Sequence, residues 1–171
     1  LDQKIDNKDQ YQYAFPTWID ETNIATIVRK SGKNAIQIIH LGTGKSHLIT
    51  PWWSEKIAHL KSYQNYIYFD GIFNGIDNIY ACSIEDQEVH QVTSTLFGAI
   101  QPDISPDGKM LAYSAYSNMG YDIQTTPLIK ENWKLMEIVE NSLIDYFKPM
   151  FKDNILENVS KQSYEEQSYP T

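Results

Sequence analysis

Several unlike features of this 171-residue chain recur at one constant spacing. Adding 43 to Ile24 gives Ile67, to Ile36 gives Ile79, to Leu41 gives Ile84, to His47 gives His90 and to Thr50 gives Thr93. A third copy follows at an offset of 44, which carries Ile67 to Leu111, Ile79 to Ile123 and Ile84 to Leu128. Pro16-Thr17-Trp18 and Pro102-Asp103-Ile104, 86 residues apart, mark the same place in the first and third copies. A register kept by apolar and polar positions together marks an internal repeat, and a repeat of about 43 residues is one supersecondary unit that buries its apolar faces by stacking on its neighbours.

Within each copy the apolar residues alternate with period two, in short runs rich in Ile, Tyr, Val and Thr bounded by turn residues, which is the pattern of antiparallel strands. Four runs fall in each copy. The first has Thr17 to Ile19, Ile24 to Arg29, Ala35 to Leu41 and His47 to Thr50. The second has Ala58 to Ser62, Tyr66 to Asp70, Asn78 to Ile84 and Val89 to Thr93. The third has Gln101 to Ser105, Met110 to Ala115, Asp122 to Leu128 and a weaker run around Trp133 to Met136. Four short strands per 43 residues specify β-propeller blades and an all-β fold. A β-sandwich of a dozen strands is the competing architecture, and it predicts no fixed register between units.

The expected organisation is therefore the end of a preceding blade and a connector over 1–14, blades over 15–50, 51–93 and 94–136, and a polar linker or tail over 137–171. Ile5, Asp6 and Asn7 fall 43 residues before Leu48, Ile49 and Thr50, at the end of a fourth strand, so the repeat extends toward the start of the chain. Three blades fall short of the roughly four to eight that close a ring. The arc is expected to belong to a longer polypeptide or to associate through its open blades.

Residues 102–123, PDISPDGKMLAYSAYSNMGYDI, carry the most specific motif. They resemble the repeat of TolB-type propellers, in which a Pro-x-x-Ser-Pro-Asp-Gly-Lys turn leads into a Leu-Ala-Phe/Tyr-Ser strand and then a Gly-x-Asp-Ile/Leu-Tyr strand. The second copy keeps Gly75-Ile76-Asp77-Asn78-Ile79-Tyr80, and the first keeps Pro16 and Trp18 with Asp20-Glu21-Thr22-Asn23 at the turn. The resemblance covers Phe15 to Met136. It implies a WD-like, periplasmic or cell-envelope propeller, and Asp145-Tyr146-Phe147-Lys148-Pro149 is similar to the segment that joins such a propeller to an outer-membrane β-barrel.

Composition narrows the chemistry. A formal charge of −8 with no Lys/Arg cluster excludes a nucleic-acid partner, which needs basic residues against phosphate. No apolar run reaches the roughly 20 residues that span a bilayer. Gly42-Thr43-Gly44-Lys45-Ser46 ends like a phosphate-binding loop, but the first required glycine is Ile39 and no helix pattern follows, so it reads as a hairpin turn. His47 and His90 are repeat equivalents on successive blades and do not converge as metal ligands, so no metal or other cofactor is expected. The sole cysteine, Cys82, lies in an alternating strand run and reads as buried. Asp77 and Asp122 sit where third strands begin and read as turn caps. No Gly-x-Ser-x-Gly elbow is present, and the chain reads as non-catalytic.

Strand parity sorts the loops. In a four-stranded antiparallel blade, the loop between the second and third strands and the connector to the next blade emerge on one side, and the two remaining turns on the other. The first side collects Trp52, Trp53, Phe73, Phe97, Tyr116, Met119 and Tyr121; the other carries short polar turns. Aromatic and Met side chains gathered on one face suit recognition of a protein or peptide. The expected function is a non-catalytic interaction scaffold. Its alternatives are the gating propeller of a serine peptidase whose catalytic domain lies elsewhere, or a glycan or small-ligand binder stacking on Trp52 and Trp53.

Overall fold

The computed structural model describes residues 4, 5 and 7–136. Three antiparallel sheets follow one another along the chain. β1 (Gln12–Trp18), β2 (Asn23–Lys30), β3 (Lys33–His40) and β4 (Ser46–Leu48) form the first, paired in chain order. β5 (Ile57–Tyr63), β6 (Tyr66–Gly71), β7 (Asn78–Ser83) and β8 (Val89–Gln91) form the second, and β9 (Ala99–Ile104), β10 (Met110–Ser117) and β11 (Gly120–Pro127) the third. These are three consecutive blades of a propeller.

The alternation of the sequence has a direct structural meaning in the middle blade, whose strands are buried on both faces. Ile67, Phe69, Tyr80 and Cys82 pack with Ala25, Ile27, Ile36 and Ile38 of the first blade. Tyr68, Ile79 and Ala81, the residues between them, pack with Ala99, Leu111, Tyr113 and Ala115 of the third. Successive side chains of a strand point to opposite faces, so two cores require two interleaved apolar sets. The same positions serve in each copy: Ala25 and Ile36, which face the second blade, become Tyr68 and Ile79, which face the third, 43 residues later.

Polar ties repeat with the strands. The Thr50 hydroxyl accepts the Ile36 amide at 2.9 Å, and the Thr93 hydroxyl accepts the Ile79 amide at the same distance. Each continues the ladder past the end of a short fourth strand, where a buried amide would otherwise lack an acceptor.

The Ser105-Pro106-Asp107-Gly108 turn is also a blade contact. Asp107 Oδ1 accepts the Ser105 hydroxyl (2.7 Å) and the Lys109 amide (3.1 Å), while the Tyr63 hydroxyl of the second blade donates to the Pro106 carbonyl at 3.2 Å. Gly108 has φ +72°, and a Cβ there would lie 2.6 Å from the Tyr63 oxygen, so both conformation and space demand glycine.

One expectation is corrected. The run Trp133 to Met136 is not the fourth strand of the third blade: β12 (Lys134–Leu135) pairs with β8, Lys134 opposite Gln91, and becomes the fifth strand of the second. Burial explains the detour. Trp133 meets Tyr66 and Tyr68 edge-on at 5.2 and 6.0 Å, and Met136 enters the core between the first two blades. The open edge of the third blade offers instead the exposed, mostly polar β11. Before Gln12 no strand forms among the described residues, and Asn7 closes a turn by accepting the Tyr11 amide at 2.9 Å; the expected end of a preceding blade takes in residues 1–3 and Asp6, which lie outside the described residues. The expected linker over 137–171 and its Asp145 to Pro149 segment lie outside the described residues.

Candidate functional site

The third blade carries the exposed apolar cluster. Its β10–β11 hairpin is fully paired from Met110 opposite Pro127 to Ser117 opposite Gly120, which holds Asn118 and Met119 at the tip and sets Tyr116 against Tyr121 with ring centroids 5.1 Å apart. The connector from the second blade joins it: the Tyr116 amide donates to the Gly98 carbonyl at 3.0 Å, bringing Leu96 and Phe97 alongside. The connector is itself fixed by Asn78 Oδ1, which accepts the Thr93 hydroxyl, the Thr95 amide and the Thr95 hydroxyl at 3.1, 2.9 and 3.3 Å. Met119 is 91% exposed and Phe97 66%. These large apolar side chains stand on a braced loop pair outside both cores, an exposed patch of the kind that docking surfaces are built from.

The seven residues singled out by sequence divide three ways. Phe97, Tyr116, Met119 and Tyr121 are exposed: Tyr116 and Tyr121 are in ring contact, Met119 is at the tip of their hairpin, and Phe97 precedes Gly98, whose carbonyl accepts the Tyr116 amide. Trp52 is half-buried against Tyr11, ring centroids 5.6 Å apart, on the first blade. Trp53 and Phe73 leave the surface altogether, 6% and 2% exposed, with rings 5.0 Å apart in the core between the first two blades. Parity places a loop on a side but does not fix the direction of each side chain. Trp53 is turned inward by its paired hydrogen bonds with Asn34, both 2.8 Å, and Phe73 by Gly71, where a Cβ would stand 2.7 Å from its ring.

A second set of residues was not found from sequence. The first strands of the three sheets run side by side, β5 touching both β1 and β9. Each has a register shift, at Ala14/Thr17, at Ala58/Lys61 and opposite Ala112/Ser114, and each places a non-glycine residue in left-handed conformation there: Phe15 (φ 51°), His59 (φ 49°) and Gln101 (φ 59°). A left-handed residue inside a strand costs on the order of 1–3 kcal/mol and marks a bulge held by its surroundings. Pro16 and Pro102, each just after a bulge residue, were the available signal, because proline inside a strand is confined to edges and bulges. Asp70, buried on β6, braces two of the bulges through contacts to His59 and to the Gln101 amide. Nearby Asp77 has its pKa raised, by burial first and by the Asp70 charge second, against Lys56 and His59, which lower it.

The remaining titratable groups suit structure. Burial pushes the Cys82 thiol up to about 12, an inert group whose Sγ lies 3.6 Å from the Ile49 carbonyl. Gly42 to Ser46 form the β3–β4 turn, closed by the Gly44 amide on the His40 carbonyl at 2.8 Å. Among the described residues no three His, Cys, Asp or Glu side chains gather into a metal-holding group, and no helix is long and apolar enough to cross a membrane.

No protein-family model matches the chain, and no curated protein matches it in sequence. By structure it is similar to TolB from Acinetobacter baumannii, with a TM-score of 0.60 and 16% identity over 72% of this chain and 32% of that one. It is similar to a putative TolB from Agrobacterium tumefaciens, at 0.61 and 15% identity over 77% and 50%. It is also similar to a puromycin-hydrolysing peptidase from Mycobacterium tuberculosis, at 0.52 and 13% identity over 74% and 22%. The chain thus spans half or less of each of these proteins. At such identity the likeness is one of fold, and the fold is that of a TolB-type β-propeller.

Proposed function

We propose that the chain is a non-catalytic propeller scaffold of the bacterial cell envelope that binds a protein or peptide through the loop pair carrying Phe97, Tyr116, Met119 and Tyr121. The observation that carries this reading is the exposure of four large apolar side chains on two mutually braced loops. Aromatic side chains bury much area for few rotatable bonds, and the flexible Met thioether adapts to the surface it meets, which is why both are enriched in interfaces. The envelope location rests on the likeness to the TolB structures.

A displayed peptide library panned on the chain tests the binding. Enriched peptides are expected to lose at least about tenfold in affinity on Phe97→Ala or Met119→Ala, as for residues central to an interface, with unchanged thermal unfolding. Peptides that bind both variants like the parent chain would refute the assignment. Protease shaving of intact cells and spheroplasts tests the location: digestion only after the outer layers are opened is the expected result.

The second reading, a propeller that gates a serine peptidase, is favoured by the peptidase among its structural neighbours. In that case the catalytic serine belongs to a different domain, since no nucleophile elbow lies in this sequence.

A further inference from the structure

The β2–β3 hairpin ends in a group of cations that no carboxylate pairs. Arg29, Lys30 and Lys33 fall within five residues of a chain whose formal charge is −8, and none of the ion pairs among the described residues involves them. Asp9 and Glu55 contribute main-chain carbonyls there, which accept the Lys30 ammonium at 3.1 Å and the Asn34 side-chain amide at 2.9 Å. Lys30 and Lys33 stand directly opposite each other across the Ser31-Gly32 turn, an arrangement that like charges make unfavourable. Among the described residues nothing of opposite charge offsets it.

Strand pairing makes this group a site rather than a scatter of charges. Gln12, Arg29 and Asn34 are cross-strand partners in one row, on the face that Ala25 and Ile27 turn toward the second blade. Arg29 Nε donates to Asn34 Oδ1 at 3.1 Å and the guanidinium lies over the Phe15 ring at 6.0 Å, which orients the fork and leaves its two Nη groups to meet a ligand. A cavity of about 350 Å³ opens here, lined by this row with Gln10, Lys30, Lys33 and the turn, and none of its lining side chains is acidic or apolar. By strand parity the turn emerges on the side of the disc that carries the loops of Phe97 and Tyr116.

We infer that this cavity binds a small soluble phosphate monoester, its phosphate held by the Arg29 fork and the Lys33 ammonium and its remainder by the carboxamides of Gln10, Gln12 and Asn34. A guanidinium engages two oxygens of a phosphate at once, and a phosphate monoester brings up to about two negative charges to a place where positive charge stands uncompensated. Carboxamides both donate and accept hydrogen bonds, which suits a hydroxyl-bearing remainder. The volume is at the lower end of ligand pockets, room for a molecule the size of a sugar. Three cations on one hairpin do not make the extended basic stripe that a nucleic acid needs.

The test is titration calorimetry of the full 171-residue chain at low ionic strength, where charges are least screened, with glucose 6-phosphate and glucose as probes. Glucose 6-phosphate is expected to bind at least about tenfold more tightly than glucose, as a charge-assisted contact requires, and to be displaced by inorganic phosphate. Arg29→Gln should remove about tenfold or more of that affinity, and Lys33→Gln, an exposed substitution that leaves thermal unfolding unchanged, about threefold or more. Lys109→Gln, at a turn on the opposite side of the disc, leaves binding as it is. So does Phe97→Ala, which separates this inference from the peptide-binding reading. Glucose 6-phosphate that binds no better than glucose, or that binds both pocket variants like the parent chain, overturns the inference. Binding confined to phosphatidylglycerol vesicles overturns it as well, by making the hairpin a membrane contact.

Discussion

His59 Nδ1 lies 2.8 Å from Asp70 Oδ1, joining a bulge on the innermost strand of the second blade to a carboxylate buried in the next strand. The same oxygen accepts the Gln101 amide at 3.0 Å, so one side chain braces left-handed residues on two blades. The equivalent residue of the third blade, Ser114, donates to the Gln101 side chain at 3.1 Å. Bulges at matching positions are thus supported from matching positions.

Removing that brace is expected to be costly. Asp70→Ala strands the Gln101 amide and the His59 ring and should lower unfolding free energy by about 1–3 kcal/mol. Asp70→Asn, which keeps an acceptor, should recover a large part of the loss. Urea unfolding measures both, and an Asp70→Ala chain as stable as the parent would deny the brace.

The buried and exposed aromatics should separate cleanly. Phe69, stacked on Trp53 and Tyr80 at 5.9 and 5.7 Å, is wholly buried, and Phe69→Ala should cost about 3–5 kcal/mol. Phe97→Ala should change stability by no more than about 0.5 kcal/mol. Equal costs would contradict the division of the aromatic residues into core and surface.

The two threonine ties should behave alike. Thr50→Val and Thr93→Val each leave a buried amide without its acceptor, at Ile36 and Ile79, for about 1–3 kcal/mol apiece. Amide hydrogen exchange should accelerate at those amides, and an effect confined to one blade would break the equivalence that the repeat implies.

Acid should loosen the polar turns in a defined window. Hydrogen bonds from Asn23 and Thr22 hold Asp20 at a pKa of about 2, below its usual 3.8. A lowered folded pKa means that this contribution is complete above the unfolded value and is lost as pH falls through about 2. Thermal unfolding of the parent chain should therefore decline from pH 4 to pH 2 more steeply than that of Asp20→Ala, and identical slopes would count against the cap.

Much of this fold is legible in the sequence because stacking blades impose one register on every interface. Ile36 and Ile79, or Thr50 and Thr93, hold equivalent jobs and so fall at one spacing. What sequence did not show depends on contacts outside the repeat. Trp133 and Met136 follow available apolar surface to the second blade instead of the register of the third. Trp53 and Phe73 lie in loops on the expected side, but their direction is set by the pairing with Asn34 and the space at Gly71. The bulges at Phe15, His59 and Gln101 place three unlike residue types on the three first strands, so only Pro16 and Pro102 mark the first and third, and nothing in the sequence marks the second.

The central claim is that three blades stack with the second sandwiched between the others, and Cys82 is a natural probe of it. Its thiol is wholly buried on β7 with residues of the first blade, and it is the only cysteine in the chain. Labelling by a thiol reagent in native buffer should be at least about a thousandfold slower than in urea, equivalent to an opening free energy of ~4 kcal/mol. Ile27→Ala, across the same core, should speed it more than Leu111→Ala, which lies in the other. Labelling of the folded chain as fast as that of the unfolded one would show that the blades do not stack.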